Sequence, residues 1–348
     1  MEISLDAPRK KLAQNFDFFS DIFVDSYFPL NSMIQSMALP VILFGYDSSP
    51  FTQKVRLALR VKQIPYTLII APSMMPRPVL RENLQLTYRK IPVCVIGREV
   101  YCDTSIILEA LEHFFPPSQG YGTLYPQAKD GRTYRPLIRG FASYWTDRPL
   151  FRVTTGLIPS RVWRTSFGAD RSGLIGHKLD PDKLERKIPQ NLSGLDLHLS
   201  ILEPLFKDTD GPWIFSTEKP SLADIALFYQ LEWGNNIAAG RGTANLTAGG
   251  TYDSSTQGAT PVFNAQRYPN LFTWFEAFRS YLSRLPSMET RVVNSPENAL
   301  RATRDYGFRK EIPLLPTSAP AHAELDRRNG LLPGAAVSVA PDDTGRAE

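Results

Sequence analysis

Ser49-Pro50-Phe51-Thr52 is the stretch whose residue types and order could do chemistry. Ser49 stands where a helix N-cap belongs, and Pro50 takes the first helical position that proline favours. A hydroxyl beside the unpaired backbone N–H groups of a helix start suits an anion or a thiolate. The same serine can also do nothing more than cap its helix. Tyr46, Ser48 and Thr52 carry hydroxyls nearby and compete for the role. Further along, Ile91-Pro92 leads into an apolar run, and Asp103-Thr104 puts a carboxylate and a hydroxyl ahead of a second helical pattern.

Regular elements must hold these groups. Val41 to Phe44 is apolar and β-branched and reads as a buried strand, followed by a turn from Gly45 to Ser49. Val55, Ala58, Leu59 and Lys62 then follow helical spacing, with Lys54, Arg56 and Arg60 interleaved. Tyr66 to Ile70 reads as the second strand, and the proline-rich Pro72 to Arg81 predicts a short, irregular second helix. A strand beginning at Pro92 reaches Ile96, Gly97-Arg98 turns the chain, and Glu99 to Cys102 pairs back. Ile106, Ile107, Ala110, Leu111 and Phe114 complete a helix after Asp103-Thr104-Ser105.

This order, β-α-β-α-β-β-α with X-Pro opening the third strand, resembles the thioredoxin-like domain of the glutathione transferases. The likeness is nearest to the omega-like and serine-type classes and to divergent fungal-type members. They carry Cys-Pro-Phe where this chain has Ser49-Pro50-Phe51, Val-Pro where it has Ile91-Pro92, and Glu-Ser where it has Asp103-Thr104. The resemblance implies an α/β thioredoxin-like domain followed by an all-α bundle. It implies glutathione as co-substrate, with Ser49 activating its thiol and no metal. Phe51, Arg81, Ile91, Pro92, Asp103 and Thr104 are the implied binding residues. Asp103 would pair with the γ-glutamyl amine, and Thr104 with its backbone N–H would hold the neighbouring carboxylate. The backbone of Ile91, before a cis Ile91–Pro92 bond, would pair with the cysteinyl segment as an added strand does. Arg77, Arg81 and Lys90 all qualify for the glycine carboxylate. Serine cannot form the mixed disulfide that cysteine would form at position 49, which favours transfer to a small hydrophobic electrophile, or isomerisation. A non-catalytic interaction or scaffold protein of the same fold is the rival reading. The resemblance also implies a homodimer.

At 348 residues the chain exceeds one ordinary domain, and its 43% hydrophobic and 21% charged content describes a soluble protein with ample core. A net charge of +4, evenly spread, lacks the basic stripe that nucleic acid needs. Cys94 and Cys102 form no CxxC pair and no disulfide framework, which fits a reducing, cytoplasmic setting. No apolar run reaches membrane-spanning length. The four histidines have no metal-ligand spacing, and no GxSxG, P-loop or GxGxxG is present.

The expected domains are an extension at 1–38, the thioredoxin-like domain at 39–116, a linker at 117–129, a helical domain at 130–293 and a weakly ordered tail at 294–348. The extension reads either as an amphipathic helix (Leu12, Phe16, Phe19, Phe23, Tyr27) or as a non-native segment ahead of Met37, and the sequence leaves both open. Asp130 to Phe151 predicts one long helix with Leu137, Ile138, Phe141, Tyr144 and Trp145 inward, and with the electrophile lying against it beside Phe151 and Trp163. Arg135, Arg139, Arg148 and Arg152 on this stretch suit either an acidic substrate or a solvated face. Asp182 to Phe206 predicts another helix, interrupted at Pro189. Ser221 and Asp224 form a capping box with a structural role. Residues 238–260, rich in Gly, Thr, Ala and Ser, predict a mobile insertion. Tyr268 to Leu285 predicts the last core helix.

Overall fold

The computed structural model describes residues 39–207, 210–292, 296–304, 306, 322–331 and 334–336. The expectations for 1–38, and most of those for 305–348, fall outside these residues.

The first half alternates as its patterning predicts: β1 (Val41–Gly45), α1 (Pro50–Lys62), β2 (Tyr66–Ile70), α2 (Pro78–Leu84), β3 (Val93–Ile96), β4 (Glu99–Cys102) and α3 (Thr104–Phe114). β1 pairs in parallel with β2 and antiparallel with β3, and β3 pairs antiparallel with β4. Successive residues of β1 serve opposite faces. Val41 and Leu43 pack with Val55, Leu59, Ile107 and Leu111 of α1 and α3, whereas Ile42 and Phe44 pack with Leu80 of α2.

The second half is largely helical. α4 (Arg135–Gly140) runs into a π-helical stretch, Phe141–Leu150, and then into α5 (Phe151–Thr155). Widening the turn to i→i+5 shifts every side chain that follows relative to an α-helical reading. Ile138, Ala142 and Leu150 are buried, while Leu137 and Tyr144, expected to face inward, are exposed. Three short helices follow, α6 (Ser160–Trp163), α7 (Ser166–Ile175) and α8 (Pro181–Arg186), and then, after a break at Lys187, the long α9 (Ile188–Lys207). The break comes just ahead of Pro189, as expected. α10 (Leu222–Ala238) starts with the capping box: Ser221 N donates to Asp224 Oδ2 at 2.8 Å and Ala223 N donates to Ser221 Oγ at 3.2 Å.

Two boundaries need correction. Residues 238–260 are part of the packed fold rather than a mobile insertion. α11 (Thr243–Leu246) lies within them, its Leu246 joins a core cluster with Trp233 and Ile237, and Asp253 accepts from the N–H groups of Gly242 and Ala244 at 2.9 and 2.7 Å. Small polar side chains hold this segment by hydrogen bonds where apolar anchors are few. The helical reading also ends too late. After α12 (Pro269–Arg284) the chain returns to the sheet as β5 (Glu289–Val292), parallel to β2, giving the strand order β4-β3-β1-β2-β5. α13 (Pro296–Arg304) follows and places Leu300 in the cluster of Ile42, Phe44 and Ile69, so the expected tail begins with a packed element. Within the remaining described residues α14 (Ala323–Arg328) is a short helix.

Candidate functional site

Strand register brings the sequence-predicted residues together. Phe44 of β1 lies opposite Val93 of β3, and Val93 opposite Cys102 of β4. The loop after β1, the Ile91-Pro92 segment before β3 and the Asp103-Thr104 segment after β4 therefore emerge at the same end of the sheet. Three neighbouring strands at about 4.8 Å spacing span roughly 10 Å from the first loop to the third, the length of three extended residues. The helices α1 and α3 both begin at this end.

At the first loop, Ser49 N donates to Tyr46 O at 3.1 Å, closing a turn, and Ser49 Oγ accepts from Thr52 N at 3.2 Å. Gly45 is required there, because a Cβ would overlap the buried Thr52 side chain. Capping uses a lone pair of the Ser49 oxygen and leaves its O–H free to donate. The residue is 3% exposed. The helical half of the chain covers this turn: Trp233 Nε1 donates to Ser48 O at 3.0 Å, and Asn245 Oδ1 accepts from Ser48 N at 2.9 Å. Phe51 packs against Phe151 with ring centroids 4.9 Å apart, and Phe151 in turn packs against Trp233. Ser48 Oγ and Thr52 Oγ1 are buried without a hydrogen-bond partner.

At the second and third segments, the Ile91–Pro92 peptide is cis, as the resemblance implies. Ile91 is half-buried against the cluster of Tyr46, Ile158, Val162 and Trp233. Asp103 is exposed and caps α3, its Oδ1 accepting from Ser105 N at 2.8 Å. Its φ of 77° lies in the left-handed region that costs a non-glycine residue energy. Thr104 is buried behind it.

The basic candidates separate. Arg77 is buried and donates to the carbonyls of Pro72, Ser73 and Arg89, which makes it the brace of the β2–α2 connection; burial lowers its pKa. Arg81 is exposed in the last turn of α2. Lys90 is half-buried. Arg171 of α7, which the sequence reading did not single out, reaches the same corner. It donates to Ser73 O at 3.0 Å and Tyr46 Oη at 3.3 Å, while its neighbour Asp170 accepts from Met75 N at 3.0 Å.

The aromatic wall also differs from expectation. Phe141 and Trp145 stack on each other and face Phe215 and His198 within the helical bundle, and Tyr144 is turned outward. Phe151 and Trp163 do lie in or beside the cluster around Tyr46, together with Phe167, Trp233 and Leu246. Arg135 and Arg139 pair with the buried Glu109, so they serve packing between α3 and α4. Trp233 and Asn245 left no local signal, since each meets Ser48 across more than 180 residues of sequence.

Residues 43–119 match the family model described as glutathione S-transferase, N-terminal domain, and residues 155–248 match a domain of unknown function. Glutathione S-transferase U4 of Arabidopsis thaliana is 29% identical over 75 residues, 22% of this chain and 33% of that protein. A probable glutathione S-transferase of Solanum tuberosum is 28% identical over 127 residues, 36% of this chain and 50% of that protein. The chain thus spans between a third and a half of the length of these relatives. The crystal structure of rice GST1 in complex with glutathione aligns at 20% identity and a TM-score of 0.45, covering 78% of this chain and 99% of that chain.

Proposed function

We propose, from the premise that the chain belongs to the glutathione transferase family through its domain at residues 43–119, that it binds glutathione at the shared end of β1, β3 and β4 and activates the thiol with Ser49. The observation that carries this is the register Phe44–Val93–Cys102, since it supports one extended tripeptide lying across all three segments. In this reading Asp103 pairs with the γ-glutamyl amine, Thr104 and the α3 start hold its carboxylate, and the backbone beside Pro92 takes the cysteinyl segment. The sulfur lies at the start of α1, where the Ser49 O–H and the positive end of the helix favour thiolate over thiol. Phe51 supports that turn, and Arg81 is the exposed candidate for the glycine carboxylate. The thiolate forms a bond to an electrophilic carbon of a small hydrophobic substrate, and the leaving group departs with its bonding pair; with an activated double bond, water supplies the proton instead. A cytoplasmic setting and a homodimer belong to this reading. Exposed Leu137 and Tyr144 on the helix running from α4 are apolar surface available to a second copy.

One observation favours a second reading. Ser49 is buried, and Trp233 and Asn245 hold the backbone of its neighbour Ser48, which suits a protein that binds glutathione without turnover. A calorimetric titration with glutathione, followed by turnover of an activated aryl halide, separates the two. For the transferase we expect saturable binding, and a fall of about 100-fold in turnover on Ser49→Ala, the scale seen when one donor to a developing anion is removed. Binding with no turnover by the native protein supports the second reading. Absence of binding ends both.

A further inference from the structure

We propose that β5 belongs to the thiolate site at one remove: its Arg291 neutralises Asp47 and fixes the loop on which Ser49 stands, making Arg291 a positioning residue for the glutathione sulfur. The inference rests on the glutathione reading above and adds to it a strand drawn from more than 240 residues away.

Asp47 is the only acidic residue in the turn from Tyr46 to Ser49. Arg291 grips it with both arms of its guanidinium, Nη1 donating to Oδ2 and Nη2 to Oδ1, each at 2.8 Å. Arg56 of α1 adds a third bond to Oδ1 at 3.2 Å. Glu289, two residues before Arg291, accepts from Arg56 Nε at 2.8 Å, from Tyr66 Oη at 2.7 Å and from Arg291 Nη2 at 3.1 Å. Gln53 holds the Asp47 carbonyl at 2.7 Å. Two carboxylates and two guanidiniums make this a neutral set that ties β2, β5, α1 and the Ser49 turn together. A single exposed ion pair contributes little, but a two-armed pair within a network restricts geometry. Asp47 is held below the usual carboxylate range, first by its hydrogen bond from Arg291, so it carries its charge at neutral pH.

That charge matters because the sulfur to be stabilised is also an anion. An uncompensated carboxylate two residues before Ser49 would raise the thiol pKa, and β5 supplies the compensation. Removing either partner therefore has effects of opposite sign. Arg291→Ala leaves the set with an excess negative charge; Asp47→Asn leaves it with an excess positive one.

The test is a pH titration of the thiolate absorbance of glutathione bound to the full chain, with steady-state kinetics alongside. We expect Arg291→Ala to raise the bound thiol pKa by about half to one unit and to lower kcat below that pKa by about 3- to 10-fold, with KM for glutathione moving less than about 2-fold. Asp47→Asn lowers the thiol pKa, the double variant returns close to the native value, and Arg291→Lys restores most of the shift because it keeps the charge. A loss of structure alone would move both single variants in the same direction, and that result, or no shift in Arg291→Ala, overturns the proposal. If Arg291→Ala does not fold, the sign of the Asp47→Asn shift decides. Native protein that binds glutathione but shows no thiolate above the free thiol overturns the Ser49 reading, and this proposal with it.

Discussion

At the scale of single residues, polar side chains in this protein act through the neighbours they commit to. The N-cap place of Ser49 was legible because its signal is local: a serine, a proline and a helical pattern lie side by side in the chain. The bonds of Trp233 and Asn245 to the neighbouring Ser48 were not, because they follow from how the helical half packs. Asp224 shows the same division. Its pairing with Ser221 is a four-residue pattern, but it also accepts from Ile214 N and Trp274 Nε1, both at 2.9 Å, and these are tertiary. Burial raises its pKa from 3.8 to about 6 despite those donors. Because the folded state then holds its proton more tightly than the unfolded chain, Asp224 contributes most below pH 4, and that contribution is lost as pH rises through 6. We expect the stability measured by chemical denaturation to carry a downward component between pH 4 and 6 that is absent in Asp224→Asn. That variant should also cost about 2–4 kcal/mol at pH 7, since an amide nitrogen would face buried N–H donors.

At the scale of elements, period and capping located most of the first half but failed where the helix itself changed geometry. The predicted inward row from Leu137 to Trp145 assumed 3.6 residues per turn; the π-helical turns from Phe141 onward rotate Tyr144 outward. Residues 238–260 were misread for a different reason. Composition reports the supply of apolar anchors, whereas Thr243, Thr247 and Asp253 anchor this segment through hydrogen bonds. The docking of α1 on the helical bundle was also invisible. Lys54, placed among the interleaved basic residues, is fully buried and donates to Asp147 Oδ2 at 2.6 Å, while Tyr229 Oη donates to Asp147 Oδ1 at 2.7 Å. Breaking such a pair leaves a buried ammonium without its counter-ion. Asp147→Ala should therefore cost about 3–5 kcal/mol of unfolding free energy. Lys54→Met combined with Asp147→Asn should recover most of that loss, because no charge is stranded and Tyr229 keeps an acceptor. Equal destabilisation of the single and double variants would show that packing, and not charge, holds α1 in place.

At the scale of the whole molecule, the chain closes on itself in a way that no local pattern announced. A four-residue strand carries too little periodicity to stand out after a long helix, yet β5 covers the outer edge of β2 and α13 seals one sheet face with Leu300. The far end of the described fold thus finishes the domain that opens it, and β5 holds the Ser49 loop through Arg291 and Asp47. Any edge strand presents unpaired N–H and C=O groups to other chains, and the short β5, with its charged Glu289 and Arg291, is a poorer template for such pairing than the apolar β2 it covers. A protein shortened to end at Met288 loses β5 and α13 together, and we expect it to aggregate at micromolar concentration during size-exclusion chromatography. Leu300→Ala separates the two contributions. It removes the apolar seal while leaving the β2–β5 ladder and the Arg291–Asp47 pair in place, so it should cost about 2–5 kcal/mol yet elute as the native protein does. If Leu300→Ala aggregates as readily as the shortened chain, the seal of α13 and not the covered edge keeps this sheet from pairing with another. If the shortened chain elutes as the native protein does, β5 serves the Ser49 loop alone.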